Sequence, residues 1–285
     1  MRTKAKKAVK KNKKVAKKTT NNKQPKVAKQ VLPLTFHHVI ILDKSGSMTT
    51  VRDSTINGFN ENAVNIRNLA SKDKSQTHTV TLVVFSDENK NVYWRQDINS
   101  LKDLTAEDYM PDGWTALCDA MGRTMYRLNE EILAEKNSGP VSVLVTIITD
   151  GAENYSKQYN AQSISKMIEG FKSNKDIIWT ITYMGANQDV LEVASKYNIA
   201  VSNVAAYTSN DAGTTQAFRN LSAARGSYVK GFARAAKVGN DEDLQATSMN
   251  FFSATNEAAD FTQPNPNANL QNPVNPPTDP DKKTT

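Results

Sequence analysis

Two aspartates and three hydroxyls in three separated segments carry the clearest chemistry of this chain: Asp43-Lys44-Ser45-Gly46-Ser47-Met48, Asp112-Gly113-Trp114-Thr115-Ala116-Leu117 and Thr149-Asp150-Gly151-Ala152-Glu153-Asn154. Asp43, Ser45 and Ser47 alternate, so a turning loop can aim three oxygens to one side, with Gly46 expected to let the backbone bend between them. Asp150 adds a second carboxylate and Thr115 a further hydroxyl. Every donor is a hard oxygen, with no Cys or His in the set, which selects Mg²⁺, Ca²⁺ or Mn²⁺ over zinc. Short side chains completed by waters suit octahedral Mg²⁺ best. The two carboxylates roughly neutralise a divalent ion, and hydroxyls and waters add no charge. The ion therefore stays attractive to an incoming Asp or Glu carboxylate, and nearby helix N-termini favour the same visitor. The chemistry expected is binding completed by a partner, with no catalytic step.

Such a site needs elements that return all three segments to one edge. Phe36–Leu42 is a short apolar run that stops at Asp43 and reads as a buried strand. Thr50-x-x-Asp53 looks like a capping box opening a helix with Ile56, Phe59, Ala63, Ile66 and Leu69 on its apolar side. Strands are expected at His78–Ser86, Asn89–Arg95 (a hairpin with the preceding strand), Val141–Ile148, Ile177–Tyr183 and Ala200–Val204. Helices are expected at Leu117–Ile132, near Ser163–Phe171, near Val190–Tyr197 and over Thr214–Phe232. This alternation predicts an α/β fold: a doubly wound, mostly parallel central sheet with helices on both faces and one antiparallel edge strand. Ligands of such sheets sit beyond the carboxyl ends of the strands, where Asp43 and Asp150 fall.

The formal charge of +7 is unevenly spread. Residues 1–30 hold 13 of the 36 Lys and Arg and no acid, which leaves 23 basic against 29 acidic residues in the rest. A basic disordered arm (1–33) is therefore expected on a mildly acidic α/β domain (34–235). A C-terminal extension (236–285) follows, becoming a disordered tail from about 262, where six of the ten prolines lie. The single cysteine, Cys118, excludes an intrachain disulfide and suits a reducing compartment. No apolar run is long enough to span a membrane, and no apolar stretch follows the basic start as in a secretory signal. A cytoplasmic or virion-associated protein is expected.

The pattern D-x-S-x-S, then T, then D resembles the metal-ion-dependent adhesion site (MIDAS) of von Willebrand factor type A domains. Asp43, Ser45 and Ser47 match its first loop, Thr115 in GWTALCDA its second, and Asp150 in IITDG its third. The resemblance covers about residues 36–205 and extends toward 233. It implies a Rossmann-like fold and a metal that bridges to a carboxylate on a protein ligand. Tyr183-Met184-Gly185-Ala186-Asn187-Gln188-Asp189 is similar to a subgroup of bacterial and phage proteins of this kind.

The same residues admit a rival. Asp43-Lys44-Ser45-Gly46-Ser47 also resembles the D-K-T-G-T loop of P-type ATPases and their haloacid-dehalogenase relatives, where the aspartate accepts a phosphoryl group. Against it, Met48-Thr49 replaces the usual Leu-Thr, Thr149 precedes Asp150 in place of Gly, and Thr115 has no role. The basic arm admits non-specific contact with nucleic acid or another polyanion, and without aromatic residues it offers no base stacking. Two polar tails and an Asn- and Lys-rich composition also fit a phage structural or packaging protein whose arm binds DNA. Glu153 and Asp112 read as supports of the site or plain loop acids, Cys118 as a core thiol, His37 and His38 as sheet residues on opposite faces, and Trp114 as a partner contact or a packing residue.

Overall fold

The computed structural model describes residues 33–135 and 139–253. The basic arm over 1–30 and the proline-rich tail from about 262 lie outside the described residues. The strands are β1 (Leu34–Asp43), β2 (Gln76–Phe85), β3 (Asn89–Asp97), β4 (Val141–Thr149), β5 (Ile177–Ala186) and β6 (Val204–Tyr207). The helices are α1 (Arg52–Lys72), α2 (Leu117–Leu133), α3 (Ala161–Lys172), α4 (Val190–Tyr197), α5 (Asp211–Val238) and α6 (Asp241–Ser248).

The strands form one six-stranded sheet in the order β3-β2-β1-β4-β5-β6. All neighbours are parallel except β2 and β3, which pair antiparallel at the edge. The apolar, β-branched sequences of β1, β4 and β5 explain why these three lie inside the sheet. Both their faces are covered, and nearly every residue in them is buried. Phe36, Ile40 and Leu42 face α1, α5 and α6, whereas Val39 and Ile41 face α2, α3 and α4. Burying each such side chain contributes roughly 1.5–3 kcal/mol. The expected α/β architecture is therefore present, with helices on both faces.

Local details differ from expectation. Thr50 is exposed and caps nothing: a 3-10 turn over Gly46–Val51 runs directly into α1, whose N-cap is Val51 with no side-chain bond. The first loop thus hands its backbone to the helix without a separate start. The strand expected over Ala200–Val204 begins only at Val204, because Val201–Asn203 winds into a 3-10 turn first. α5 starts earlier than expected, at the Asn210 cap whose Oδ1 accepts the Gly213 amide at 2.8 Å, and runs on to Gly239, whose left-handed backbone (φ 72°) ends it. In the C-terminal extension, α6 and the buried Leu244, Phe251 and Phe252 add to the layer on α5, with the Phe251 ring 5.7 Å from that of Tyr228.

Candidate metal centre

The chain passes from β1 outward through β2 to β3, then crosses to β4 on the other side of β1. The loops leaving β1 and β4 therefore diverge and open a crevice at the carboxyl edge. Asp43 is the last residue of β1, and Asp150 directly follows β4.

Four of the five expected residues lie in one hydrogen-bonded cluster. The Ser45 amide donates to Asp43 Oδ1 at 2.7 Å. The Ser45 and Ser47 hydroxyls share a bond of 3.2 Å, and the Ser47 hydroxyl donates to Asp150 Oδ1 at 2.5 Å. Thr115 joins by proximity alone. A Cβ built on Gly151 would stand 3.4 Å from Thr115 Oγ1 and 3.9 Å from Ser47 Oγ, so both hydroxyls lie around the residue next to Asp150. Asp43, Ser45, Thr115 and Asp150 are buried, and Ser47 is exposed. The cluster thus opens to solvent on the Ser47 side.

Backbone ties hold the three loops together. The Gly46 amide donates to the Gly113 carbonyl at 3.1 Å, and the Asp112 amide donates to the Lys44 carbonyl at 2.8 Å. The Thr115 amide donates to Asn154 Oδ1, and the Asn154 amide returns a bond to the Thr115 carbonyl. The glycine that the geometry demands is Gly113, not Gly46. Gly113 has φ 80°, and a Cβ there would lie 2.2 Å from Asp87 Oδ1. Gly46 is outside the left-handed region and simply begins the 3-10 turn. The long segment that carries Thr115 is pinned from α1: Asn60 pairs with both backbone groups of Leu104, and Arg52 donates to the Tyr109 and Ala106 carbonyls. Tyr109 in turn donates its hydroxyl to the Asp43 carbonyl at 2.6 Å.

The electrostatics are one-sided. Burial pushes the Asp43 carboxyl up to about 6, against the pull of bonds from Thr149 and Ser45 and with the help of the nearby Asp150 charge. Among the described residues neither Asp43 nor Asp150 has an ion pair. Lys44, the cation in the first loop, directs its Nζ to Ser86 Oγ at 2.9 Å. Among the described residues no group of three or more His, Cys, Asp and Glu is placed to hold a metal, so the candidate rests on two carboxylates and three hydroxyls.

Several supporting residues were not anticipated. The Thr149 hydroxyl donates to Asp43 Oδ2 at 2.5 Å, bridging β4 to β1, and its place beside Asp150 was the available signal. Ser209, between β6 and α5, donates to Asp150 Oδ2 at 3.1 Å, and no sequence pattern marks it. Glu153 is a brace: its carboxylate accepts the amides of Cys118, Tyr155 and Ser156 and so locks the third loop to the start of α2. Those bonds outweigh the upward pull of burial and hold its carboxyl below the usual range. Asp112 accepts the Gly113 amide, as a plain loop acid does. Cys118 is a buried thiol, pushed up to about 11 by burial. His37 bonds to Thr79 and His38 to His78, on opposite faces of the sheet. Trp114 is 60% exposed beside the site.

No family model matches the chain, and no curated protein matches it. Solved structures that are similar include a von Willebrand factor type A protein from Catenulispora acidiphila, at 16% identity over 67% of this chain and 42% of that one (TM-score 0.43). Proximal thread matrix protein 1 from the mussel byssus is 13% identical over 70% of this chain and 47% of its own (TM-score 0.45). A further structure of that mussel protein carries a zinc-occupied MIDAS motif. The PilB minor pilin from Streptococcus sanguinis is 14% identical over 70% of this chain and 62% of its own (TM-score 0.45). The chain thus spans between 42% and 62% of the length of these proteins.

Proposed function

We propose that this chain is a metal-dependent protein-binding module, with a divalent cation held by Asp43, Ser45, Ser47, Thr115 and Asp150. The observation that carries the reading is two buried carboxylates joined through hydroxyls, with no cationic side chain in the cluster. Buried carboxylates need a compensating charge, and a donor set made only of hard oxygens fits Mg²⁺, Mn²⁺ or Ca²⁺. When bound, the cation supplies an electropositive centre that draws in an Asp or Glu carboxylate of a partner protein. The chain's own residues do the rest. Asp43 and Asp150 supply charge, Ser45, Ser47 and Thr115 supply neutral oxygens, and Thr149, Ser209 and Tyr109 hold the acids and their strand ends in place. Exposed Ser47 and Trp114 mark the side on which a partner would land. Binding is favoured over phosphoryl transfer because Asp43 is fully buried with both oxygens engaged, which suits a fixed ligand better than an attacking nucleophile.

The reading extends to the flanks. The domain over 34–235 presents the site, and the basic arm over 1–33 supplies non-specific contact with nucleic acid or another polyanion, with affinity falling steeply in salt. Among the described residues no helix is long and apolar enough to cross a membrane.

Calorimetry on the full chain tests the centre. Mg²⁺ or Mn²⁺ should bind at a single site in the native protein and not in Asp43→Ala, with circular dichroism unchanged. An Asp43→Ala protein that keeps its metal affinity removes the assignment. A pull-down from the native source, with and without EDTA, tests the partner. Deleting residues 1–30 and measuring DNA binding at two salt concentrations tests the arm, and unchanged binding removes that part.

A further inference from the structure

The face of the sheet under α5 holds a charge that the rim does not explain. Arg225, midway along α5, is 1% exposed. Its Nη2 donates to Thr146 Oγ1 at 3.3 Å, and its Nε and Nη1 have no acceptor. Among the described residues it has no ion pair. Burial lowers the guanidinium to about 9, so it remains charged at neutral pH.

The neighbours are all neutral. Thr146 Oγ1 accepts from Arg225, and the Thr182 hydroxyl lies between Thr146 Oγ1 and the Val145 carbonyl, 3.1 Å from each. Tyr228 is taken up by Ser142 and Thr180, each at 2.8 Å. The buried His38 belongs to a relay. Gln76 Nε2 donates to Asp73, so Gln76 Oε1 accepts His78 Nε2–H, and His78 Nδ1 then accepts His38 Nε2–H. That order keeps both imidazoles uncharged, so they neither add to the Arg225 charge nor offset it. Burial, with help from the Arg225 charge, holds His38 well below its ordinary range.

An isolated buried guanidinium is among the costliest arrangements a protein can hold, and a water molecule would satisfy its N–H groups without cancelling its charge. We propose that the interior between β4 and α5 binds one small inorganic anion, chloride, on Arg225 Nε and Nη1. Enclosure favours a monatomic ion that sheds its water more readily than sulfate or phosphate does. The ion is a structural counter-charge, separate from the cation centre at the rim.

Bromide is the probe. Crystals of the full chain grown in sodium bromide and measured at the bromine edge should show an anomalous peak within about 3.5 Å of Arg225 Nε and Nη1. In solution, replacing gluconate by chloride at constant ionic strength should raise Tm by about 3 °C and saturate. Arg225→Met, which keeps an unbranched apolar stem without the charge, should lose that response. Absence of the bromine peak overturns the proposal, as does an equal chloride response in Arg225→Met. A peak without any thermal response means binding at crystal concentration only and overturns it too. The crystal measurement decides by itself if Arg225→Met does not fold.

Discussion

At the carboxyl rim of the sheet, Asp43 and Asp150 lie among hydroxyls with no cationic side chain in their cluster; under α5, Arg225 lies among hydroxyls with no acid. The two places are near mirror images in charge and differ in construction. The rim cluster hangs on three loops and opens to solvent at Ser47, so an ion there can exchange and a second protein can reach it. The interior cluster stands on β4, β5 and the middle of a long helix, with Arg225 fully enclosed. On the proposed reading, loops suit a centre that exchanges its ion, and regular elements suit a permanent part of the fold.

The comparison breaks most readily at Asp43. Replacing it with Ala should lower metal affinity at least about 100-fold, beyond the range typical for partners outside the coordination shell. Metal-free stability should hold or rise, because a buried carboxylate without compensation is removed. Denaturant melts with and without Mg²⁺ check both halves. A strongly destabilised metal-free protein would mean that Asp43 serves the fold first.

Acid sharpens the contrast. Burial lowers His37 to about 4, with help from Arg95, and lowers His78 to about 4. His38 falls well below 6.5, through burial and the Arg225 charge. An unfolded chain takes up these protons near 6.5, so between there and about 4 the unfolded state binds more of them. Stability is fully present above pH 6.5 and declines as pH falls, by up to about 1.4 kcal/mol per pH unit for each histidine. Metal-free Asp43 works in the opposite sense. Its carboxyl, raised to about 6, binds its proton in the folded state first, so stability contributed there grows as pH drops from 6 toward 4. Metal-free Asp43→Asn should therefore lose stability more steeply on acidification than the native chain. Equal slopes would show that the rim carboxylate carries no buried charge.

Thr115→Ala comes next. The hydroxyl goes while the Thr115 amide keeps its bond to Asn154, so the loop should stay in place. Metal affinity should fall about 30-fold, within the range of 10–100-fold that positioned groups at metal sites command. An unchanged affinity would remove Thr115 from the cation and leave it a packing residue beside Gly151.

What the sequence made legible follows the same division. Long apolar runs such as Val141–Thr149 marked their strands because burial on both faces leaves no alternation to misread. Asp43, Ser45, Ser47 and Asp150 were legible because their spacing within short loops is itself the pattern, and the structure joins them by hydrogen bonds. Ser209 was not, since only the packing of β6 beside β5 carries that loop to Asp150, and β6 itself begins later than its composition suggested. Arg225 was equally hidden. In sequence it is one more polar position on a helix, and its burial comes from the contact of α5 with the sheet and α1. The α1 start failed for a local reason, because the loop winds into a 3-10 turn that makes a Thr50 cap unnecessary.

Ser209 supplies the smallest and most discriminating prediction. Its hydroxyl is bonded to Asp150 Oδ2, the oxygen that Ser47 does not use, from a loop that none of the expected site residues occupies. If Asp150 serves a cation, Ser209 acts only by orienting that carboxylate, and Ser209→Ala should weaken Mn²⁺ about 10-fold, at the low end for such partners. Metal-free Tm should fall only slightly, because Ser209 is half-buried and a single hydrogen bond to Asp150 is lost. If Asp150 instead serves only to tie the β4 loop to the start of α5, the same change should lower Tm and leave Mn²⁺ affinity alone. The two outcomes move different observables, so one variant measured twice decides whether the rim is a binding centre or, like the interior around Arg225, a part of the scaffold.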